Sequence, residues 1–293
     1  MRVKKVRVLQ TILALTGLSL LVVNLWWASK PEKAFGAMVP VSLADYDFGK
    51  KARKQWLLPR ALREISGLAI VDNDRILVHE DETAVVFEFR ISTQQVKPLF
   101  QLDQPVLKLD LEGIAILGRD IYLVTSTGQI YKVANGLERT GVIEDYQVFD
   151  PGLESVCEVE ALDKDLNETA LVLVCKRMLE AGADYVSLYR YTPGAARAEK
   201  LFDLAFADLK PIGTRRIHPS GISIQFDSYI ILAGKERLIV QVSKEGEIVS
   251  SAKLKKKYHR QAEGIGFLPD HTLVISDEGR YRGGRVTTYK LGL

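Results

Sequence analysis

The residues best suited to chemistry are three glutamates and two serines that occupy the same position in five similar segments. The segments are EISGLAIV (64–71), DLEGIAIL (110–117), EVEALDKD (158–165), HPSGISIQ (218–225) and QAEGIGFL (261–268). In each segment a Gly or Ala follows the polar residue, which gives the set Ser66, Glu112, Glu160, Ser220 and Glu263. Oxygen ligands without sulfur or histidine suit a hard cation, and a roomy ring of them favours calcium over magnesium.

The spacing of these segments predicts a repeated all-β unit. The small residues that follow the polar ones are 46, 48, 60 and 43 residues apart. Each segment is followed by turn residues and then by two β-rich runs, such as RILVHE (75–80) and VVFEF (85–89) in the first unit. A further β-rich run, the fourth of its unit, follows in four of the five units. Four short strands per unit are typical of a propeller blade. The sequence therefore predicts a five-bladed β-propeller, with six blades as the alternative because the 60-residue spacing could contain further structure.

The two ends of the repeat region predict how the ring closes. The fifth unit ends at Leu293 without a fourth strand, whereas residues 45–59 contain a strand candidate with no partner of its own. A strand within 46–58 that joins the last blade would solve both problems and leave no exposed sheet edge. We therefore expect the propeller to span residues 46–293.

Propeller geometry predicts that the five polar residues form a ring at one mouth of the central channel, where the innermost strands begin. Carboxylates this close together would raise one another's pKa unless a cation neutralised them. The alternative is that each Glu hydrogen-bonds backbone amides in a water-filled channel. Loops after the second strands share this face and supply a secondary acidic face, with solvated loop charges as the alternative: Glu80, Asp81, Asp277 and Glu278.

Basic residues precede the innermost strands, so an acidic centre would face a partly basic rim. These residues are Lys51, Arg53, Lys54, Arg60, Arg63, Arg215, Arg216, Lys253, Lys255, Lys256, Lys257 and Arg260. Such a rim would suit an anionic small molecule bridged through the cation, and solvated surface lysines are the alternative.

The N-terminal residues predict a membrane anchor. Residues 1–28 hold four of the 40 basic residues and no acid, and residues 8–28 form an uncharged stretch long enough to span a bilayer. The basic start predicts a cytoplasmic N-terminus, a tether over residues 29–45 and a C-terminal domain in the periplasm at a bacterial inner membrane. A cleaved signal peptide is the alternative. The rest of the chain has 36 basic and 37 acidic residues, which argues against a nucleic-acid partner.

Cys157 and Cys175 are the two cysteines of the chain, and both belong to the third unit. A hairpin centred near Asn167 sets residue 159 against residue 175, so the two sulfurs begin near each other. A disulfide and two buried thiols are both compatible with this placement.

The repeated phrase, HED (79–81) after the first unit's second strand and SDEG (276–279) near the C-terminus resemble the SdiA-regulated (YjiK-like) bacterial family. A membrane segment followed by a propeller is similar to the layout of that family. The resemblance covers about residues 45–293 and implies a five-bladed propeller with a bound calcium ion, without an established reaction.

Two functions follow as expectations. The first is a membrane-anchored, calcium-binding propeller that acts as a binding or scaffold module for a small molecule or an envelope protein. The alternative is a calcium-dependent hydrolase of the phytase-like or lactonase-like type, in which the metal polarises the substrate. His79 and His218 are the histidines expected on the right face to act as a base. The ring contains neither Asn nor Asp, which counts against the lactonase type.

Overall fold

The chain folds into five β-sheets that surround a central channel, as the five-bladed prediction requires. The computed structural model describes residues 42–49, 53–279 and 281–292. Each innermost strand contacts the innermost strands of the two neighbouring sheets, so the ring is continuous. The all-β, five-bladed propeller is confirmed, and six blades are excluded for the described residues.

The first two blades follow the first strand of the described chain, β1 (Arg53–Leu57). Blade 1 consists of β2 (Ile65–Ile70), β3 (Arg75–Glu80), β4 (Val85–Arg90) and β5 (Gln95–Leu102). Blade 2 consists of β6 (Leu111–Leu117), β7 (Asp120–Thr125), β8 (Ile130–Val133) and, after the short strand β9 (Gly141–Ile143), β10 (Gln147–Phe149). The four strands named for each of these two blades run antiparallel to their neighbours.

The other three blades complete the ring. Blade 3 consists of β11 (Cys157–Lys164), β12 (Leu171–Met178), β13 (Tyr185–Tyr191) and β14 (Glu199–Ala205). Blade 4 consists of β15 (Gly221–Gln225), β16 (Ser228–Ala233), β17 (Leu238–Ser243) and β18 (Ile248–Lys253). Blade 5 consists of β19 (Ala262–Phe267), β20 (Leu273–Asp277), β21 (Arg285–Tyr289) and β1.

The ring closes through strand β1, which is the outermost strand of blade 5. It pairs antiparallel with β21 from Arg53 opposite Tyr289 to Leu57 opposite Arg285. Blade 5 therefore joins the two ends of the described chain in one sheet, and its β21 edge is covered.

Blade 2 differs from the expected pattern in its fourth strand. The sequence predicts one strand over residues 143–149, but β9 ends at Ile143 and pairs in parallel with β5 of blade 1, so that only β10 belongs to blade 2. The left-handed backbone of Gly141 (φ 81°) turns the chain, and Asp103 donates its N–H to the carbonyl of Ile143. Blade 1 consequently has five strands.

Small residues let the innermost strands approach closely and narrow the channel. A Cβ atom at Gly113 would lie 2.6 Å from the backbone nitrogen of Leu162, and one at Gly221 would lie 2.9 Å from the carbonyl oxygen of Glu263. The cavity at this level measures about 10 Å³, room for about one water molecule. The repeated Gly or Ala thus serves the packing of adjacent blades.

Apolar side chains fill the layers between blades. Between blades 3 and 4, Val174 and Leu188 pack in one cluster with Ile231 and Val240, all fully buried. Comparable clusters lie between blades 1 and 2, between blades 2 and 3, and between blades 5 and 1. Burial of about 25 cal/mol per Å² of apolar surface makes these layers the main source of stability.

Residues 42–49 pack beside blades 4 and 5. They begin with a short 3₁₀ helix, Leu43–Asp45, in which Leu43 is buried and donates its backbone N–H to Oε1 of Gln241. Three further 3₁₀ helices span Arg60–Leu62, Gly136–Glu138 and Phe206–Ile212. No helix of the described residues is long and apolar enough to cross a membrane, and the predicted span over residues 8–28 lies outside them.

Candidate functional site

β-Bulges distinguish four of the five predicted ring residues from their neighbours on the innermost strands. These residues lie at the upper mouth, the end of the channel at which the innermost strands begin. On β2, β6, β11 and β19 the pairing with the second strand skips one residue: Ser66, Glu112, Glu160 and Glu263. A bulge re-aims the side chain of its extra residue. Four blades thus present a polar side chain at the same height.

Glu112 joins blades 1 and 2 at this mouth. The Ser66 hydroxyl donates a hydrogen bond to Glu112 Oε2 at 3.3 Å. Burial, together with the negative charges of Glu160 and Asp110, raises the pKa of Glu112 to about 9. Glu112 is therefore mostly protonated at neutral pH.

Glu160 is the most buried carboxylate of the mouth, with 5% of its surface exposed. Lys176 Nζ donates to Glu160 Oε1 at 2.5 Å, while Oε2 has no hydrogen-bond partner among the described residues. Burial raises the pKa of Glu160 to about 7 despite this ion pair. Sequence reasoning did not assign Lys176 to the site, although its place directly after the second-strand residue Cys175 put it on the correct face.

Glu263 completes the group from blade 5. Burial, followed by the charges of Glu278 and Glu160, raises its pKa well above the ordinary value for Glu. We refer to Ser66, Glu112, Glu160, Glu263 and Lys176 as the acidic mouth. Three carboxylates with raised pKa values share one partly buried ammonium group there.

Ser220, the fifth predicted ring residue, has a different role. Its hydroxyl donates to the carbonyl of Ala262 at 2.8 Å and accepts the N–H of Gly234 at 3.0 Å. Ser220 lies before β15 and has no bulge to re-aim it. It therefore links blades 4 and 5 through backbone groups.

Two residues of the predicted secondary acidic face are coupled to the mouth. Burial, with Asp81 and Glu64 nearby, raises the pKa of Glu278 to about 6. Burial also raises the pKa of Asp81, whose Oδ1 has no hydrogen-bond partner within the described part of the chain. These carboxylates extend the negative field from the acidic mouth over blades 5 and 1.

The other two residues of this set are engaged elsewhere. Asp277 is fully buried, and its Oδ2 lies 2.7 Å from Nδ1 of His259, whose Nε2 lies 2.6 Å from the hydroxyl of Tyr289. Glu80 accepts hydrogen bonds from the hydroxyl of Thr83 and the N–H of Glu82. Asp277 thus ties the connection before β19 into blade 5.

The oxygen atoms of the acidic mouth and their spacing decide how well a hard cation fits there. The carboxylates provide oxygen atoms without competing sulfur, and Glu160 Oε2 is a buried acceptor that lacks a donor. Against this, no three Asp, Glu, His or Cys side chains of the described residues are gathered closely enough to hold a metal ion. The chemistry of the donors fits calcium, and Lys176 already supplies part of the positive charge.

The two histidines expected near the mouth are not placed to act as a base there. His79 is fully buried, and burial lowers its pKa to about 4. His218 Nδ1 lies 2.8 Å from Oε1 of Glu236, which also accepts the backbone N–H of His218 through Oε2.

The opposite mouth contains a cavity of about 310 Å³ formed by all five innermost strands, with both polar and apolar lining residues. Asp163 lines it and accepts the N–H of Ile224 from the next blade at 2.8 Å. Burial raises the pKa of Asp163 to about 6. Its carboxylate is thus used to join blades 3 and 4.

Cys157 and Cys175 form a disulfide bond, which resolves the alternative left open by the sequence. Val159 pairs with Cys175, the register expected from the hairpin. The disulfide links β11 and β12 beside the ion pair, since Lys176 directly follows Cys175, and so restrains the acidic mouth.

No protein-family model and no curated protein sequence matches the chain. Among solved structures, it is similar to a streptogramin B lyase, with a TM-score of 0.47 and 11% identity over 82% of this chain and 97% of the other. A PQQ-bound aldose sugar dehydrogenase from Streptomyces coelicolor gives a TM-score of 0.48 at 11% identity over 80% and 97% of the two chains. A glucose dehydrogenase gives 0.49 at 11% identity over 81% and 99%. These values are too low to inform function, and the five-bladed fold rests on the strand pairing described above.

Proposed function

We propose that this chain is a binding propeller whose acidic mouth takes a calcium ion. The observation that carries the proposal is the buried Glu160 carboxylate, which has one oxygen paired with Lys176 and the other without a donor among the described residues. Glu112 and Glu263 of the same group of coupled carboxylates would be the other ligands, and they would have to move closer to Glu160 on binding, since no three such side chains of the described residues are gathered around one point.

Electrostatics support a cation at this place. Burial and mutual repulsion raise the pKa values of all three glutamates, so the mouth has less positive charge than its carboxylates need for full ionisation. A divalent ion would supply that charge and release protons from the carboxylates. Lys176 would then compete with the ion for Glu160.

Binding is favoured over catalysis because the expected bases are unsuited to hydrolysis. His79 is buried away from solvent, and His218 is engaged with Glu236. A hydrolase needs a base within reach of the metal-bound substrate. The proposal therefore assigns the calcium a structural or ligand-bridging role.

The cellular setting of the proposal comes from the sequence. Residues 8–28 would anchor the chain in a bilayer, with the propeller in the periplasm. The resemblance to the SdiA-regulated family agrees with such a layout. In this setting the propeller would present its mouth to an envelope protein or an anionic small molecule.

Calorimetric titration of the full chain with calcium chloride at pH 8 tests the proposal. We expect saturable binding that weakens at least about tenfold in Glu263→Gln, because a ligand is lost. Glu245→Gln, a change at an exposed hairpin residue, is the matched control and should bind as the unaltered chain does. Absence of both calcium-dependent heat and a thermal shift would remove the calcium proposal.

A further inference from the structure

A pocket lined by positively charged side chains lies on the upper face of blade 5, where β1 and β20 end and β19 and β21 begin. Its volume is about 310 Å³, and its charged lining residues are Lys257, Arg260, Arg282, Arg285 and Glu278. We refer to it as the basic pocket. Four cationic side chains face one carboxylate there, the reverse of the acidic mouth.

The cations of the basic pocket are not neutralised by neighbouring carboxylates. Within the described ranges, most arginines of blades 1 to 3 form ion pairs, such as Arg75 with Glu88 at 2.7 Å. Among those same residues, none of the four basic-pocket cations lies within 4.0 Å of a carboxylate oxygen. Asp277 stands opposite Arg285 in the sheet, but His259 holds its carboxylate. The pocket therefore keeps a net positive charge.

Buried anchors fix the backbone that carries two of these cations. Lys257 and Arg260 flank Tyr258 and His259, which are 8% and 0% exposed. The N–H groups of Tyr258 and His259 both donate to the carbonyl of Lys255, which forms a tight turn. The side chains of Lys257 and Arg260 thus project from a restrained segment of backbone.

Close backbone packing fixes the other side of the pocket. A Cβ atom at Gly283 would lie 1.8 Å from the carbonyl oxygen of Leu58, so this position requires glycine. Gly284 accepts the N–H of Leu58 and donates its own N–H to the carbonyl of Leu62. Arg285 lies opposite Leu57 at the end of β1, and Arg282 directly precedes Gly283.

We propose that the basic pocket binds the phosphate group of a phosphate monoester. Three guanidinium groups offer paired N–H donors that match phosphate oxygens, and Lys257 adds a fourth charge. The cavity is larger than a phosphate ion, and Tyr281, which is 91% exposed, lines it beside Leu57. The remaining space takes the organic part of the ester, with the Tyr281 ring as an apolar contact.

The charge of Glu278 predicts the direction in which its replacement changes the affinity for phosphate. It is the one carboxylate among the lining residues and repels an anion when it is ionised. Glu278→Gln should therefore strengthen phosphate binding severalfold at pH 8. A pocket that recognised a cation would respond in the opposite direction.

The test is calorimetric titration of the full chain with inorganic phosphate, phenyl phosphate and dihexanoyl phosphatidic acid at low ionic strength. Saturable binding of at least one of the two esters, tighter than inorganic phosphate, is the expected result. Comparison of the esters separates a soluble from a lipid source. The double variant Arg260→Gln with Arg282→Gln should weaken binding at least about tenfold, since charge-assisted hydrogen bonds are lost.

Two comparisons make the test specific. Lys210→Gln with Arg215→Gln removes the same charge from exposed residues outside the pocket and should change affinity less than about twofold. Phosphate binding in calcium-free buffer is the expected result, which keeps this inference independent of the calcium site. Equal loss in both double variants, or no binding of any probe, would overturn the assignment.

Discussion

Replacement of Lys176 by Gln should destabilise the protein by an amount that grows with pH. The change removes the only donor to the Glu160 carboxylate among the described residues. Glu160 is 5% exposed, so the ionised form then has neither solvent nor a counter-charge. The Glu160 carboxylate can then lose its charge only by binding a proton, and the free energy of this protonation depends on pH.

The pKa of Glu160 sets the size of the effect. Its value of about 7 compares with 4.5 for an ordinary Glu, and this shift corresponds to about 3 kcal/mol of destabilisation above pH 7. Because the pKa of Glu160 is higher in the folded protein than in the unfolded chain, Glu160 does not destabilise the folded state below about pH 4.5. The folded state loses this free energy as the pH rises through 7. At pH 7 the unaltered protein already carries most of this destabilisation, so Lys176→Gln should cost less than about 1 kcal/mol more there.

Above pH 7 the two proteins diverge. Glu160 ionises in the unaltered protein, whereas in Lys176→Gln it stays protonated, and the difference grows by up to about 1.4 kcal/mol per pH unit. Urea unfolding followed by tryptophan fluorescence at pH 6, 7, 8 and 9 measures it. Lys200→Gln breaks an exposed pair with Asp203 and is the control, with an expected cost below about 1 kcal/mol at every pH. A large, pH-independent loss in Lys176→Gln would refute the reasoning.

Three further outcomes follow from the structure. Glu112→Gln should make the fall of stability between pH 5 and 9 shallower by up to about 1.4 kcal/mol per pH unit, because the raised pKa of Glu112 is about 9; unchanged slopes in urea unfolding would contradict this. Replacement of both Cys157 and Cys175 by Ala should cost about 3 kcal/mol in guanidinium unfolding, since the closed loop spans 18 residues, and a loss below 1 kcal/mol would count against it. Gly113→Ala should lower the melting temperature more than Gly118→Ala, whose Cβ meets nothing within 4 Å and whose cost is limited to its left-handed backbone (φ 65°), and equal shifts would show that the inner strands can separate.

The repeated phrase was enough to predict the fold and to bring three glutamates to one mouth. The small residue of each phrase marks the closest approach of neighbouring blades, as the contacts of Gly113 and Gly221 illustrate. Equivalent positions of the repeat occupy equivalent positions in the blades. Glu112, Glu160 and Glu263 therefore lie at the same height along the channel.

The details of the site depend on features that a sequence pattern does not encode. Whether a strand contains a bulge decides between Ser66, which reaches Glu112, and Ser220, which bonds to backbone groups. Lys176 joined the mouth because the shifted pairing of β11 and β12 brings its side chain to Glu160. Burial of Asp277 depended on where His259 packs, a contact between segments that no periodicity predicts.

The same limit explains the altered fourth strand of blade 2. Val142 and Ile143 have the β-branched side chains typical of a strand, but β propensity does not select the strand with which they pair. Tyr146 donates to Asp103 of the neighbouring blade at 2.7 Å, and this contact directs the segment toward blade 1. Contacts between blades 1 and 2 therefore determine that β9 pairs with blade 1, whereas the repeat pattern alone predicts pairing with blade 2.

Proton release on calcium binding tests the central claim most directly. Calcium is titrated into the full chain by calorimetry at pH 7 in two buffers of different ionisation enthalpy, and the difference in heat counts the protons. With the pKa of Glu112 at about 9 and that of Glu160 at about 7, we predict release of about one proton or more per ion and an affinity that rises about tenfold per pH unit. Calcium binding without proton release, or no calcium binding, would contradict the account.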